Sequence, residues 1–312
     1  MIALAIDLGG THVACALVED STILLQERLR FANTEKLVPV LPMVEAVLRR
    51  LSQHSSRPID GIGLGFCGLV DTRKNRVAAT NGKYIDAPDL DLSSWAEQKF
   101  GLRLRLDNDA RMALRGECYA GAAQNESDVV MFTLGTGIGG VVMIDGKPLR
   151  GKHGQAGGLG GHVPVQLNGR ACTCGAIGCA ESEASGWSLP LVCRAWRGFD
   201  DSALASVEPN FENLFACAAS GDRVAQQIQE HCLHVWAMTA VSAIHSFDPE
   251  MLLYGGGVMK SRDIILPYIQ NYVNRHAWTP WGKVQVRAAQ LGNDAALLGA
   301  ISLLQEEFEN VR

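Results

Sequence analysis

The chain has 312 residues, 28 basic and 33 acidic, for a formal net charge of −5, and 47% of its residues are hydrophobic. That length and composition suit a two-domain globular protein with ample buried core, and the interspersed charges exclude a basic face for a nucleic-acid backbone. No run of about 18 uncharged apolar residues occurs, and the start, MIALAIDLGG, lacks the layout of a cleaved signal, so a cytoplasmic protein with no membrane or nucleic-acid partner is expected.

In chain order, IALAIDL (Ile2 to Leu8) and VACALVE (Val13 to Glu19) are short apolar runs on either side of a glycine turn, which is the pattern of two strands and a tight connection. STILLQERLRF continues as a third strand. Residues Glu35 to Ser52 repeat apolar positions at helical spacing, and IDGIGLGF then reads as a buried strand before a glycine-rich turn. Beyond an irregular segment, Asn81 to Asp91, a helix is expected over Leu92 to Phe100, a strand in LRLRLDND and a helix over Ala110 to Ala120. The second half begins in the same way, with DVVMFTL, the turn GTGIGG and VVMIDG. Helices over Asn213 to Ser246 and Ile264 to His276, strands in MLLYGGG and KVQVRAA, and a last helix from Asp294 follow. Two hairpins of one design, each opening a half of the chain, point to a duplicated α/β unit.

Both turns place small residues where a strand reverses, so backbone N–H groups and a Thr hydroxyl can approach an anion unobstructed. The first comprises Gly9, Gly10 and Thr11, the second Gly135, Thr136 and Gly137. Asp7, at the end of the first strand, is placed to hold a Mg²⁺-bound water facing phosphates. Gly135, Gly137 and Gly140 also fit a dinucleotide-binding glycine pattern, but a strand follows where that motif needs a helix.

Asp107, Asn108 and Asp109 sit where a strand gives way to a helix, and either acid is a candidate helix cap or a candidate base. Nine cysteines, an odd number in a chain this long, disfavour a disulfide framework. His162, Cys172, Cys174 and Cys179 offer four ligands of the type that encloses a tetrahedral, structural Zn²⁺ with no open position.

The turns, the Asn108-Asp109 block with its trailing Gly116-Glu117, and the stretch Cys172 to Glu181 together resemble the ROK family of repressors, unknown reading frames and kinases, within the actin-like ATPase superfold. The resemblance runs over nearly the whole chain. It implies two actin-like (ribonuclease H-like) α/β domains with a cleft between them: residues 1–118, on which a last helix at about 294–312 packs back, and residues 119–293 with a zinc-binding insert at 151–186. It further implies ATP-dependent phosphorylation of a hexose or N-acylhexosamine at its 6-hydroxyl, with ATP, Mg²⁺ and structural Zn²⁺ as cofactors and a homodimer as the assembly. Asp109 would be the base, and Asn81, Asn108, Asp109, His162 and Glu181 the sugar ligands. Gly255, Gly256 and Gly257 would border the adenosine. The family's Glu three residues before the zinc histidine is missing, since Gly158 or Leu159 stands there, which leaves the sugar open. A weakly catalytic sugar-binding or sensing protein without a DNA-binding domain is the alternative.

Overall fold

The computed structural model describes residues 1–9, 12–30 and 35–306; Gly10, Thr11 and the chain after Glu306 lie outside the described residues. The elements begin with β1 (Ile2–Leu8), β2 (His12–Glu19), β3 (Thr22–Arg30), α1 (Leu41–Ser52), β4 (Gly61–Phe66), β5 (Gly68–Asp71) and β6 (Arg76–Thr80). Next come α2 (Leu92–Phe100), β7 (Leu104–Asn108), α3 (Asp109–Ala120), β8 (Val129–Leu134), β9 (Ile138–Ile144) and β10 (Lys147–Pro148). Then follow α4 (Ala180–Ala184), α5 (Leu189–Ala195), α6 (Phe211–Ala219), α7 (Arg223–Phe247), β11 (Met251–Gly255), α8 (Arg262–His276), β12 (Gln285–Ala288) and α9 (Ala295–Gln305).

Two compact units divide this chain. One holds Met1–Asn125, Arg150–Ala156 and the chain from Gln290; the other holds Glu126–Leu149 and Gly157–Ala289. The sheet of the first unit runs β3-β2-β1-β4-β7, antiparallel over its first three strands and parallel from β1 to β7. The sheet of the second runs β10-β9-β8-β11-β12 with the same directions, so the hairpin repeat seen in the sequence opens two sheets of one design.

In the first unit the period-two alternation of β1 sorts its side chains by size. Ile2, Leu4, Ile6 and Leu8 pack with Val44, Val47 and Leu48 of α1, while Ala3 and Ala5 face Leu297 and Ile301 of α9. Small residues let backbones on that second face approach closely. A Cβ on Gly299 would overlap the Met112 carbonyl, one on Gly116 the Ala295 carbonyl, and one on Gly63 the Cα and Cβ of Ala300. Glu117, fully buried, completes the junction, accepting Gln290 and Leu291 N–H on Oε1 (2.9 and 2.8 Å) and Ala122 N–H on Oε2 (2.8 Å). In the second unit Phe132 and Tyr254 on the sheet pack with Leu214, Ile228 and Trp236 from α6 and α7.

The structure differs from the sequence expectation in several places. The helix expected over Glu35 to Ser52 begins only at Leu41, because Leu37 and Val38 N–H groups bind the Asp86 carboxylate (2.6 and 3.1 Å) in a preceding turn and a proline enters the first helical turn. The single helix expected over Asn213 to Ser246 is two, broken at Gly221 (φ 92°) and restarted by Asp222, which caps α7 through Ala225 N–H. The hairpin of β5 and β6 was not expected; its turn is held by Asp71, which accepts from Arg73 and Lys74 N–H. β9 starts at Ile138, inside the stretch expected to be turn. Among the described residues, no helix is long and apolar enough to cross a membrane.

Candidate functional site

In the first unit, the carboxyl ends of the parallel strands collect the acidic groups. Register sets Asp7 of β1 beside Gly65 of β4, and Gly65 beside Asp107 of β7. Neither acid of the Asp107–Asp109 stretch caps α3. The cap is Asn108, whose Oδ1 accepts from Ala110 and Arg111 N–H (3.0 and 3.3 Å), while its Nδ2 donates to the carbonyl of Gly68 (3.1 Å) and to Asp109.

The two flanking acids then meet opposite fates. Asp107 is fully buried and neutralised by three guanidinium groups, Arg150 at 3.0 Å, Arg111 at 3.6 Å and Arg115 at 3.7 Å. Arg150 and Arg115 also pair with Glu306. Asp109 has no cationic partner among the described residues. Burial, reinforced by the charge of Asp7, pushes its carboxyl up to about 6, against the hydrogen bonds it accepts from Ala110 N–H and Asn108. Asp7 is likewise raised to about 6 by burial, with Arg28 pulling the other way. These two acids form an electrostatically unbalanced pair, the environment a general base or a cation site needs. The half-buried thiol of Cys67 is pushed up to about 11 by burial and by the charges of Asp109 and Asp7. Asn81 is exposed, one residue beyond Thr80, which pairs with the same Gly68 that Asn108 holds. Of the first phosphate turn, Gly9 is described: its N–H donates to the His12 carbonyl (3.1 Å), and its own carbonyl accepts from Tyr84 Oη (3.3 Å).

In the second unit, the turn between β8 and β9 borders a cavity of about 420 Å³ lined by Gly135, Thr136, Trp187, Phe211, Gly257 and Val258, among others. Gly256 stands behind it with φ 94°, and a side chain there would overlap the Leu134 carbonyl. Only glycine therefore lets the end of β11 lie against the end of β8. Gly255 ends β11, and Gly257 begins the short turn of helix that forms the cavity wall.

His162 ends a 3₁₀ turn, Gly160–His162, and Cys179 is the cap residue of α4. Between them the chain doubles back through bridges Pro164–Cys179 and Ala171–Ile177. Gly175 and Gly178 take left-handed conformations (φ 93° and 71°), and a Cβ on Gly178 would overlap the Gln166 carbonyl. This knuckle brings His162, Cys172, Cys174 and Cys179 together, with one ligand atom from each within 4.8 Å of all the others. Cys172 Sγ lies 3.4 Å from His162 Nδ1 and Cys174 Sγ lies 3.7 Å from Cys179 Sγ. A tetrahedron with metal–sulfur bonds of about 2.3 Å has sulfur–sulfur edges of about 3.8 Å, so the donor set fits zinc in type and in size. Gly160 and Gly161 ahead of the histidine are packing residues: a side chain on Gly161 would overlap the Ile138 carbonyl, and one on Gly160 would crowd Phe132 and Gly140. Leu159, before them, is 55% exposed. Glu181 directs its carboxylate at the turn between β8 and β9, where Oε2 accepts from Ile138 N–H (2.9 Å), while Oε1 accepts from Trp187 Nε1 (3.2 Å).

The model of the ROK family matches residues 3–307 of this chain. The chain belongs to the ROK family. A glucokinase of Thermotoga maritima is 30% identical over 98% of this ROK protein and 98% of its own length. The xylose repressor of Bacillus spizizenii is 23% identical over 99% of this chain and 78% of its own. Among solved structures, the ROK hexokinase from Thermus thermophilus aligns with a TM-score of 0.78 at 29% identity, covering 96% of each chain. A ROK glucokinase from Streptomyces griseus, in complex with glucose and AMPPNP, aligns with a TM-score of 0.73 at 28% identity, covering 97% of this chain and 99% of that one. The ROK protein described here therefore has the α/β, actin-like fold expected of it.

Sequence reasoning missed Trp187, Phe211 and Val258 at the cavity, because a lone aromatic or valine outside any repeating pattern carries no local signal. It also missed the three arginines on Asp107, two of them one and two helical turns along the same helix, a spacing that does carry a signal.

The raised Asp109 has a thermodynamic consequence. Its folded-state value of about 6 lies above the ordinary carboxylate value, so its contribution to stability is present at low pH and is lost as pH rises through about 6. Asp109→Asn is expected to melt about 2 °C or more above wild type at pH 7.5, with the gap closing toward pH 4, as measured by thermal denaturation across that range.

Proposed function

We propose that this ROK protein transfers the γ-phosphoryl group of ATP to the 6-hydroxyl of a hexose or N-acylhexosamine. The observation that carries the reading is Asp109, a partly buried carboxylate at a strand–helix mouth with no cation to neutralise it among the described residues, next to an acid that three arginines remove from chemistry. At neutral pH Asp109 is mostly ionised and accepts the hydroxyl proton as the sugar oxygen attacks the γ-phosphorus; the bond to the β-phosphate oxygen breaks and ADP leaves. Asp7 would hold Mg²⁺ through a bound water, and the ion would supply neutralisation of phosphate charge. In the second unit the cavity beside Gly135–Gly137 and Gly257 suits the nucleotide, with Thr136 and backbone N–H groups toward its phosphates.

Asn81 and Asn108 of the first unit, and His162 and Glu181 of the second, are the sugar ligands in this reading. Asn108 contributes through Nδ2, since Oδ1 caps the helix. His162 has one ring nitrogen for each of two tasks, Nδ1 on the metal side facing Cys172 and Nε2 for a hydroxyl. Leu159 in the place of an acid favours the second reading, a sugar binder with weak or no turnover.

An ADP-release assay over hexoses and N-acetylhexosamines separates the two. Turnover with at least one sugar is expected, falling below about pH 6 as Asp109 takes up its proton, and Asp109→Asn is expected to lower kcat about 10²- to 10⁴-fold. Sugar binding without ADP release selects the second reading, and sugar-independent hydrolysis refutes both.

Metal analysis of purified protein is expected to find one zinc per chain. Chelation should lower the melting temperature and weaken sugar binding while nucleotide binding persists; intact, active protein without metal rules the assignment out. Leu159→Glu restores an acid at an exposed position, where it costs little to the fold. It is expected to tighten binding of glucose by about tenfold in calorimetry, the worth of one charge-assisted hydrogen bond.

A further inference from the structure

The turn that faces the phosphates in the second unit is built of residues with almost no side chain, so something outside it must hold its shape. Three contacts do. Ile138 N–H donates to Glu181 Oε2 at 2.9 Å, Gly186 N–H to the Gly135 carbonyl at 2.9 Å, and Trp187 N–H to the Thr136 carbonyl at 2.9 Å. Gly137 packs on the Glu181 carboxylate so closely that a Cβ there would lie 2.6 Å from Oε2. Glu181 and Trp187 thus grip the same turn from its two ends.

They also grip each other. The indole Nε1 of Trp187 donates to Glu181 Oε1 at 3.2 Å, and Ser188, just before α5, ties the segment back by donating its Oγ to the Glu181 carbonyl at 2.9 Å. With one donor on each oxygen, the plane of the Glu181 carboxylate is fixed, and each oxygen keeps a further lone pair for a hydroxyl. Trp187 is also one of the residues that line the cavity beside Gly135 and Thr136. A single aromatic residue therefore borders this cavity and holds the carboxylate through its indole N–H.

We infer that Trp187 is a positioning residue that orients Glu181 toward the sugar and couples occupancy of the nucleotide cavity to sugar affinity; this rests on the kinase reading, in which Glu181 is a sugar ligand. A nucleotide that packs on the indole restricts its edge, and the restricted edge holds the carboxylate in its accepting orientation. Linkage makes the effect reciprocal, so sugar tightens nucleotide binding by the same factor.

The test is calorimetric binding of glucose and of N-acetylmannosamine to the intact protein, with and without AMPPNP, in wild type, Trp187→Phe and Trp187→His, alongside KM for each substrate and the melting temperature. Phenylalanine keeps an aromatic wall and removes the N–H. Histidine puts Nε2 at the ring position of the indole nitrogen. Wild type is expected to bind sugar more tightly when AMPPNP is present. Trp187→Phe is expected to weaken sugar binding about tenfold and abolish the AMPPNP effect, with KM for ATP changed less than about threefold, and Trp187→His to recover most of the loss. A Trp187→Phe protein that keeps both sugar affinity and coupling overturns the inference alone. So does one in which both KM values rise together with a fallen melting temperature, since that is a structural role. A wild-type protein that binds neither sugar and phosphorylates nothing overturns the kinase reading, and this inference with it.

Discussion

Three guanidinium groups around the buried carboxylate of Asp107 sort the acids of the first unit. A buried carboxylate without cations would sit protonated or pull the strand end apart; with Arg150, Arg111 and Arg115 around it, the end of β7 and the start of α3 are pinned at one geometry. Arg111 extends the hold by donating to the carbonyls of Gly154 and Ala156, and Glu306 at the end of α9 joins through Arg150 and Arg115. Because the junction is fixed there, Asn108 is left to cap the helix, and Asp109 has no cationic partner among the described residues. Removing a charge from this network would leave other charges buried and uncompensated, so its effect would spread to β7, α3, α9 and the Arg150–Ala156 segment together.

The second unit solves a different problem with glycine. Its turn between β8 and β9 and its histidine–cysteine knuckle both need chain segments closer than any side chain allows, at Gly256 against Leu134, Gly161 against Ile138 and Gly178 against Gln166. Such contacts remove flexibility rather than add it, because a glycine wedged against a carbonyl has little room to move. The glycines before His162 belong to this packing, and the acid that family resemblance calls for is absent just ahead of them, where Gly158 or the exposed Leu159 stands.

The elements with strong periodicity were legible in the sequence. β1 alternates large and small apolar residues, and the structure uses each class on its own face. α2 runs from Leu92 to Phe100 as its pattern reads, ending at a left-handed glycine. What was not legible depended on partners far along the chain. α1 begins late because Asp86 binds the turn before it, and a helix expected to run unbroken is split where Gly221 and Asp222 offer a better end and start than continuation does.

By itself the sequence determined the duplicated hairpins, the four metal-type ligands and the Asn-Asp block, because each is a local pattern of residue type and spacing. Only the tertiary structure decided which carboxylate of that block is surrounded by guanidinium groups and which has none among the described residues, since those charges come from other elements. The same holds for Glu181 and Trp187. Six residues apart in the chain, they become one unit only when a third element, the turn from β8 to β9, is folded between them.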